Sequence, residues 1–316
     1  ILRAIIAGLL KRKPPASVAW ANVIESRLGC EKHPDIWALT MMHMHILFNG
    51  SSEEATSIFD AVIQTCPQVL RKKEALYAIA PVMDACRPLK VLQRWLEKIY
   101  AGSLAFSRQA FGEMIFLYHW HHKDSWSTRY IMEALSKNDD MNILLGLAYG
   151  ASRLWHELGD QSMAREVLCR LADQTDEHIQ QAVAGVFLCN RGYFQITTDA
   201  KAVINAICDN YQVLLIAAPA LVELLVDYTG TEPALVSDVC QKVICAGCSN
   251  IGNTSTSLAL LAETLTSIAL TLHRNSEYRE VGLEMFEKLL SLNVRETRAA
   301  LDMLDRKPYT THHYII

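Results

Sequence analysis

The chain has 316 residues, of which 51% are hydrophobic and 20% are charged, and its formal net charge is −4. This balance supplies ample apolar material for a core and argues against a dedicated nucleic-acid binder, which usually carries a strongly basic face. The charge is uneven, because residues 1–100 hold 13 Lys and Arg against 9 Asp and Glu, whereas residues 101–200 hold 8 against 12. The basic N-terminal third keeps nucleic-acid binding as an alternative function.

The apolar residues recur with the 3.6-residue period of amphipathic helices, and strand signals are almost absent. Only residues 193–197, within the longest irregular connection, look strand-like. In chain order, helices are predicted at 17–28, 35–48, from 51, 67–86, from 88, 103–120, 125–135, 141–158, 160–172, 175–189, 199–211, 213–228, 232–246, 255–273, 276–291 and 294–305.

These helices arrive in pairs that start near residues 34, 67, 103, 141, 176, 212 and 254. A repeat of this length is typical of an α-solenoid, in which each helical hairpin buries its apolar face against its neighbours. The sequence therefore predicts an all-α fold: a right-handed superhelical stack of about eight hairpins. We expect one domain over residues 1–308 and an irregular tail at 309–316. Because the chain starts at Ile1 without a methionine, we expect a C-terminal fragment of a longer polypeptide.

Three segments resemble known repeat families. Residues 154–173, LWHELGDQSMAREVLCRLAD, are similar to a tetratricopeptide-type hairpin, and residues 176–189, DEHIQQAVAGVFLC, to a HEAT-type helix. Residues 283–308, LEMFEKLLSLNVRETRAALDMLDRKP, resemble the helical C-terminal end of large bacterial STAND-type NTPases, including those of antiphage defence. The resemblance implies that the chain is the sensor region, that the nucleotide-binding module lies upstream, and that the trigger is a protein, such as a phage protein.

Motifs for catalysis are missing, since the chain has no phosphate-binding loop, dinucleotide fingerprint or nucleophile elbow. We therefore expect a non-catalytic protein without a cofactor. The best metal candidate is the cysteine cluster Cys240, Cys245 and Cys248, with Cys208 or His273 as a fourth zinc ligand. The alternative, which we favour, is that these thiols fill gaps between closely packed helices.

A protein partner is expected to bind in the concave groove of the stack. Aromatic residues crowd the segment 95–155, and such side chains are the usual hot spots of interfaces. The candidates for partner contact are Trp95, Trp120, Trp126 and Trp155, together with the basic cluster Arg71, Lys72 and Lys73. That cluster offers contacts to phosphates in the nucleic-acid alternative and is otherwise a solvated helix face.

No membrane partner is expected. The apolar run 213–226 is interrupted by Pro219 and Glu223, which favours a buried helix over a membrane span. The nine cysteines are an odd number, and most lie within apolar helical runs, as reduced thiols do in cytosolic proteins. The sequence therefore predicts a cytoplasmic location.

Overall fold

The computed structural model describes residues 16–137, 139–157, 159–190, 192–249 and 255–291, together with residue 298. Within these residues every regular element is helical and no strand is present, so the predicted all-α fold is confirmed. The chain divides into two compact units, Ile1–Leu154 and Trp155–Ile316. The single repeat domain over residues 1–308 stays a prediction.

Eight α-helices are described in the first unit. They are α1 (Ala16–Leu28), α2 (Pro34–Met41), α3 (Ser52–Thr65), α4 (Lys73–Ile79), α5 (Leu89–Tyr100), α6 (Ala105–His122), α7 (Ser125–Lys137) and α8 (Met141–Leu154). Short 3₁₀ helices at Met44–Asn49, Pro67–Arg71 and Ala80–Val82 lie between α2 and α5.

The second unit opens with a 3₁₀ turn at Trp155–Glu157, and seven α-helices are described in it. They are α9 (Ser162–Leu171), α10 (Glu177–Cys189), α11 (Thr198–Asp209), α12 (Tyr211–Leu225), α13 (Pro233–Ser249), α14 (Ser255–Arg274) and α15 (Arg279–Ser291). A further 3₁₀ turn, Val226–Tyr228, follows α12.

In each unit a helix packs against the next helix along the chain and against the next but one. In the first unit α6 packs along α8 and also contacts α4, α5 and α7. In the second unit α10 packs on α12, α9 on α11, and α13 on α15. Helices α6, α8, α10, α12 and α14 begin at residues 105, 141, 177, 211 and 255, within two residues of the predicted hairpin starts.

Ion pairs join residues that lie about one repeat apart in the sequence, within each unit. Their separations of 31 to 34 residues are close to the predicted repeat length, and each pair links two helices, or a helix and the start of another, within the same unit. The pairs are Arg94–Asp60 at 2.7 Å and Arg108–Asp140 at 2.6 Å in the first unit, and Arg165–Asp199 at 2.8 Å and Lys201–Glu232 at 2.7 Å in the second.

The core follows the helical period of the sequence. On α5, Leu92, Trp95, Leu96 and Ile99 lie three or four residues apart, and each exposes 1% or less of its surface. Burying a side chain of this size contributes about 1.5–3 kcal/mol. The apolar face predicted for this segment is therefore the face that packs into the first unit.

The contact between α6 and α8 depends on two glycines. A Cβ atom on Gly112 would lie 2.3 Å from the carbonyl oxygen of Ile143, and one on Gly146 would lie 2.0 Å from that of Gln109. These separations are far below van der Waals contact, and only a residue without a side chain permits them. The two backbones therefore touch, and their spacing is fixed by main-chain atoms.

Side chains cap the starts of two helices. The hydroxyl of Ser51 accepts a hydrogen bond from the backbone N–H of Glu54 at the start of α3. The carboxylate of Asp176 accepts from the N–H groups of His178 and Ile179 at the start of α10. Such caps satisfy amide groups that have no partner within the helix.

Two predicted helices are broken in the structure. Residues 67–86 form a 3₁₀ turn, α4 and a second 3₁₀ turn, because Lys72 adopts an extended conformation and Pro81 has no N–H to continue α4. Residues 35–48 divide near Met42 into α2 and a 3₁₀ helix. The strand-like stretch 193–197 forms no strand, and Thr197 instead caps α11.

One described helical stretch, Tyr211–Tyr228, is long and apolar enough to cross a membrane by length and composition alone, and half of it is buried within the protein. Its helix α12 packs against α10, α11, α13 and α14, as the predicted buried helix would. The predictions for the helix 294–305 and the tail 309–316 lie outside the described residues, apart from residue 298.

Candidate functional site

An open groove of about 260 Å³ lies in the first unit, where α4 and α8 flank α6. The groove runs along one face of α6, because its lining residues on that helix are spaced by three or four positions. The lining residues are Lys73, Leu76, Tyr77 and Ala80 from α4 and the turn after it, Phe106, Gln109, Ala110, Glu113, Met114 and Leu117 from α6, and Gly150, Arg153 and Leu154 from α8.

The floor of the groove is apolar. Leu76 and Met114 expose 2% and 4% of their surfaces, so both belong to the core and show only an edge to the groove. A Cβ atom on Gly150 would lie 2.9 Å from the Cβ of Phe116, so the absence of a side chain there lets α8 pack closely on α6. An apolar floor of this kind favours an apolar group of a ligand.

The rim of the groove carries an exposed aromatic ring and two cations. Tyr77 exposes 70% of its surface, which is unusual for a side chain of this size. The ammonium of Lys73 lies 5.7 Å from the centre of the Phe106 ring, within reach of a cation–π contact. On the opposite side, the guanidinium of Arg153 lies 5.0 Å from the centre of the Tyr149 ring.

A carboxylate lies between the two cations. Glu113 is 3.4 Å from Arg153, and 34% of its side chain is exposed, against 59% for Arg153. Burial raises the pKa of the Glu113 carboxyl, and the charge of Arg153 and a hydrogen bond from Gln109 offset only part of this effect. Ionising Glu113 in the groove therefore costs more free energy than ionising an exposed glutamate.

Two of the tryptophans predicted to contact a partner are core residues. Trp95 and Trp155 are fully buried, and neither ring offers surface to a partner. The indole N–H of Trp95 donates to Asp60 at 2.8 Å, and Trp155 stacks on Phe194 with ring centres 5.7 Å apart. Their buried apolar surface stabilises the fold.

The other two predicted tryptophans are half-buried. Trp126 packs between Tyr118 and Tyr130, with ring centres 5.2 and 4.9 Å away, and its N–H donates to Glu97. Trp120 lies at the end of α6, where it contacts the ring of His121. Neither lines the groove, and a role for them in partner binding stays a prediction.

Of the predicted basic cluster, only Lys73 lines the groove. Arg71 is exposed, and Lys72 forms an ion pair with Asp35 at 2.5 Å. The groove residues that the sequence reasoning missed are Tyr77, Glu113 and Arg153. A signal was present, because Lys73, Glu113 and Arg153 are spaced by forty residues, close to the repeat length.

The cysteine cluster does not assemble into a metal site among the described residues, where no group of three or more potential ligands occurs. Cys240 is buried and Cys245 is exposed, since five positions on α13 place them on different faces. Burial raises the pKa of Cys240 and of its neighbour Cys208 to about 12, so both are thiols rather than thiolate ligands. The side chain of Cys248 lies outside the described part.

A second cleft, of about 580 Å³, lies in the second unit and is polar. Some of its lining groups already have partners within the unit: Asp199 pairs with Arg165, which lies outside the lining, at 2.8 Å, and Thr197 donates to Gln161 at 3.1 Å. These bonds tie α11 to α9 and leave fewer groups for a ligand. The groove of the first unit, which combines an apolar floor with exposed charge, is the better candidate site.

Comparison with known proteins found no match: no protein-family model, no curated protein and no solved structure is similar to this chain.

Proposed function

We propose that this chain is a non-catalytic recognition module, and that the groove of the first unit binds a segment of a protein partner. The observation that carries this proposal is an apolar floor beside an exposed tyrosine and two cations. At about 260 Å³ the groove is smaller than the roughly 300–1,000 Å³ of small-molecule sites and suits one or two side chains of a peptide.

Hot spots of protein interfaces are enriched in Tyr, Trp and Arg, with apolar surroundings that exclude water. Tyr77 and Arg153 are of these types, and Phe106 and Leu117 supply the apolar surroundings. A bound segment would gain affinity from the floor and orientation from the rim. The groove presents no nucleophile paired with a base, which supports recognition rather than chemistry.

We further propose that the helices form a degenerate HEAT- or tetratricopeptide-like solenoid, the C-terminal sensor of a STAND-type defence NTPase. The support is the repeated helix spacing, the ion pairs one repeat apart and the resemblance of residues 283–308. Binding of a phage protein would then be transmitted to upstream domains. A gene that encodes no nucleotide-binding module before Ile1 would refute this proposal.

The alternative is a nucleic-acid-binding solenoid that uses the basic N-terminal third. Two contacts disfavour it: Lys72 is already paired with Asp35, and Glu113 places a negative charge in the groove. A salt-sensitive gel shift at low ionic strength, lost in the triple variant of Arg71, Lys72 and Lys73 to Ala, would favour it instead.

The experiment that tests the main proposal is a pull-down from host cells, with and without phage infection, read by mass spectrometry. Tyr77→Ala removes the exposed ring of the groove, and Tyr193→Ala is the matched control, since Tyr193 is 72% exposed in the second unit. We expect a stoichiometric protein partner with the wild-type chain and with Tyr193→Ala, and its loss with Tyr77→Ala. Equal capture by both variants would contradict groove binding.

A further inference from the structure

We infer that the groove of the first unit selects an acidic peptide segment, in which an apolar side chain enters the floor and flanking carboxylates meet Lys73 and Arg153. This inference rests on the proposed function and adds the chemical class of the bound segment. It is carried by the two cations, which lie on opposite sides of an apolar floor: Lys73 has no carboxylate partner among the described residues, and Arg153 has a long contact with Glu113, at 3.4 Å.

Of the two cations, Lys73 has less of its positive charge balanced by neighbouring groups of the protein. It is exposed at the start of α4, and among the described residues its only recorded partner is the ring of Phe106, 5.7 Å away. By contrast, its neighbour Lys72 is paired with Asp35 at 2.5 Å. A carboxylate of a bound segment would therefore find Lys73 at the groove mouth without displacing an internal partner.

The hydrogen-bonding capacity of Arg153 is only partly used within the protein. Its contact with Glu113 is 3.4 Å long, beyond the 2.7–2.9 Å that is common for charge-assisted hydrogen bonds. A guanidinium has five N–H donors, and in the described structure one of them is directed at Glu113. More than half of the side chain is exposed, so the remaining donors are accessible to a second carboxylate.

A substitution at Glu113 can test whether the ligand is acidic or basic. It repels a carboxylate that approaches Arg153, and it would attract a basic ligand. Glu113→Gln keeps the size and the hydrogen-bonding ability of the side chain and removes its charge. The substitution should therefore tighten binding of an acidic segment and weaken binding of a basic one.

The size of the groove limits what lies between the charges. A volume of about 260 Å³ accommodates one bulky apolar side chain, and Met114 and Leu117 provide the contact surface. The segment we expect is therefore an aromatic residue or leucine with Asp or Glu on both sides.

The test is a selection of binders from a randomised twelve-residue synthetic peptide library, followed by fluorescence polarisation with labelled copies of the selected peptides. We expect the selected peptides to share one bulky apolar residue flanked by at least two acidic residues. Lys73→Glu should weaken their binding by about tenfold or more, whereas Lys90→Glu, which changes the net charge equally on exposed α5 surface, should change it by less than about twofold.

Selected peptides that are basic or uncharged would overturn the inference, as would equal effects of Lys73→Glu and Lys90→Glu. A library that yields no binder would also overturn it. The proposed function is judged separately, by the protein captured through Tyr77, so a protein partner without an acidic motif would refute the inference and leave the proposal standing. Circular dichroism of each variant verifies that its helices are intact.

Discussion

At the scale of single residues, a buried tryptophan holds a carboxylate in its charged form. Asp60 accepts hydrogen bonds from the indole of Trp95 at 2.8 Å and from Arg94 at 2.7 Å. Burial alone would raise the pKa of this carboxyl, but the bonds from Trp95, Arg94 and Gln64 outweigh it and the pKa is lowered. Because Asp60 is on α3 and Trp95 on α5, this bond also ties two helices that are next but one along the chain.

Replacing Trp95 by Phe should therefore be costly. The change removes one donor to Asp60 and leaves a small cavity, and we expect a loss of about 2–3 kcal/mol in the free energy of unfolding. Trp126→Phe is the matched control, since its indole bond to Glu97 is longer, at 3.3 Å, and exposed; we expect it to cost about 1 kcal/mol or less. Urea unfolding measures both, and equal losses would show that the bond to Asp60 contributes little.

The carboxyl group of Glu113 should make the binding of an acidic peptide depend on pH. The raised pKa of Glu113 means that it takes up a proton, as pH falls, before an exposed carboxylate of a peptide does. Once neutral, it no longer competes for Arg153, so affinity for an acidic peptide should increase as pH falls through this raised pKa. The other charged groups that line the groove are the cations Lys73 and Arg153, which attract the peptide throughout.

Fluorescence polarisation, titrated from neutral pH downward in parallel for the wild-type chain and for Glu113→Gln, measures this effect. At neutral pH Glu113→Gln should bind an acidic peptide more tightly than the wild-type chain does, and its affinity should rise less as the pH falls. An unchanged slope in Glu113→Gln would assign the pH dependence to another group.

At the scale of helices, the closest contact in the first unit is the least adjustable. Gly112 and Gly146 bring the backbones of α6 and α8 together, and a Cβ at either position would meet main-chain atoms of the other helix. Main-chain atoms within a helix cannot rotate aside as the end of a side chain does. A single methyl group would therefore force the two helices apart.

Gly112→Ala should destabilise the protein by about 3 kcal/mol or more, because overpacking against a rigid neighbour exceeds the small gain in helix propensity. Gly29→Ala is the control, since a Cβ there would meet no atom within 4 Å; its effect should be about 0.5 kcal/mol or less. Thermal and urea unfolding measure both variants. A Gly112→Ala variant as stable as the control would show that α6 and α8 can separate freely.

The sequence predicted most helices but not where tertiary structure breaks them. The period of apolar residues and the caps at Ser51 and Asp176 locate α3 and α10 well, because these signals are local. The break at Lys72 has no local signal, since neither Pro nor Gly lies there; the helix after it, α4, packs against α2. The groove could not be predicted for the same reason. Its residues on α6 form a stripe that is visible in the sequence, at positions 106, 109, 110, 113, 114 and 117. The residues of α4 and α8 that complete the groove lie about forty positions away in the sequence.

At the scale of the whole molecule, each unit contains a buried thiol whose exposure would indicate that the unit has unfolded. Burial raises the pKa of Cys86 in the first unit to about 11 and that of Cys208 in the second to about 12. Both are therefore protonated and inaccessible in the folded protein, whereas Cys30, Cys189 and Cys245 are exposed. Thiol alkylation should label these three in the native protein and the buried pair only after unfolding.

The labelling of Cys86 and Cys208 across a urea series also tests the predicted continuous repeat domain. A tightly coupled stack should expose both thiols at the same urea concentration, because each hairpin depends on its neighbours. Mass spectrometry of the alkylated peptides gives the two midpoints. Clearly separate midpoints would show that the two units unfold independently and would contradict a single cooperative domain.

The direct contact between the main chains of α6 and α8 makes the first unit suitable for engineering. Since main-chain atoms at Gly112 and Gly146 set the distance between these helices, changes at the groove positions Lys73, Tyr77, Glu113 and Arg153 should leave that distance unaltered. The first unit is then a scaffold whose selectivity can be rewritten at four surface positions, in the way that antibody loops are diversified on a constant framework. A combinatorial library at those positions would yield binders of different charge preference from one invariant backbone.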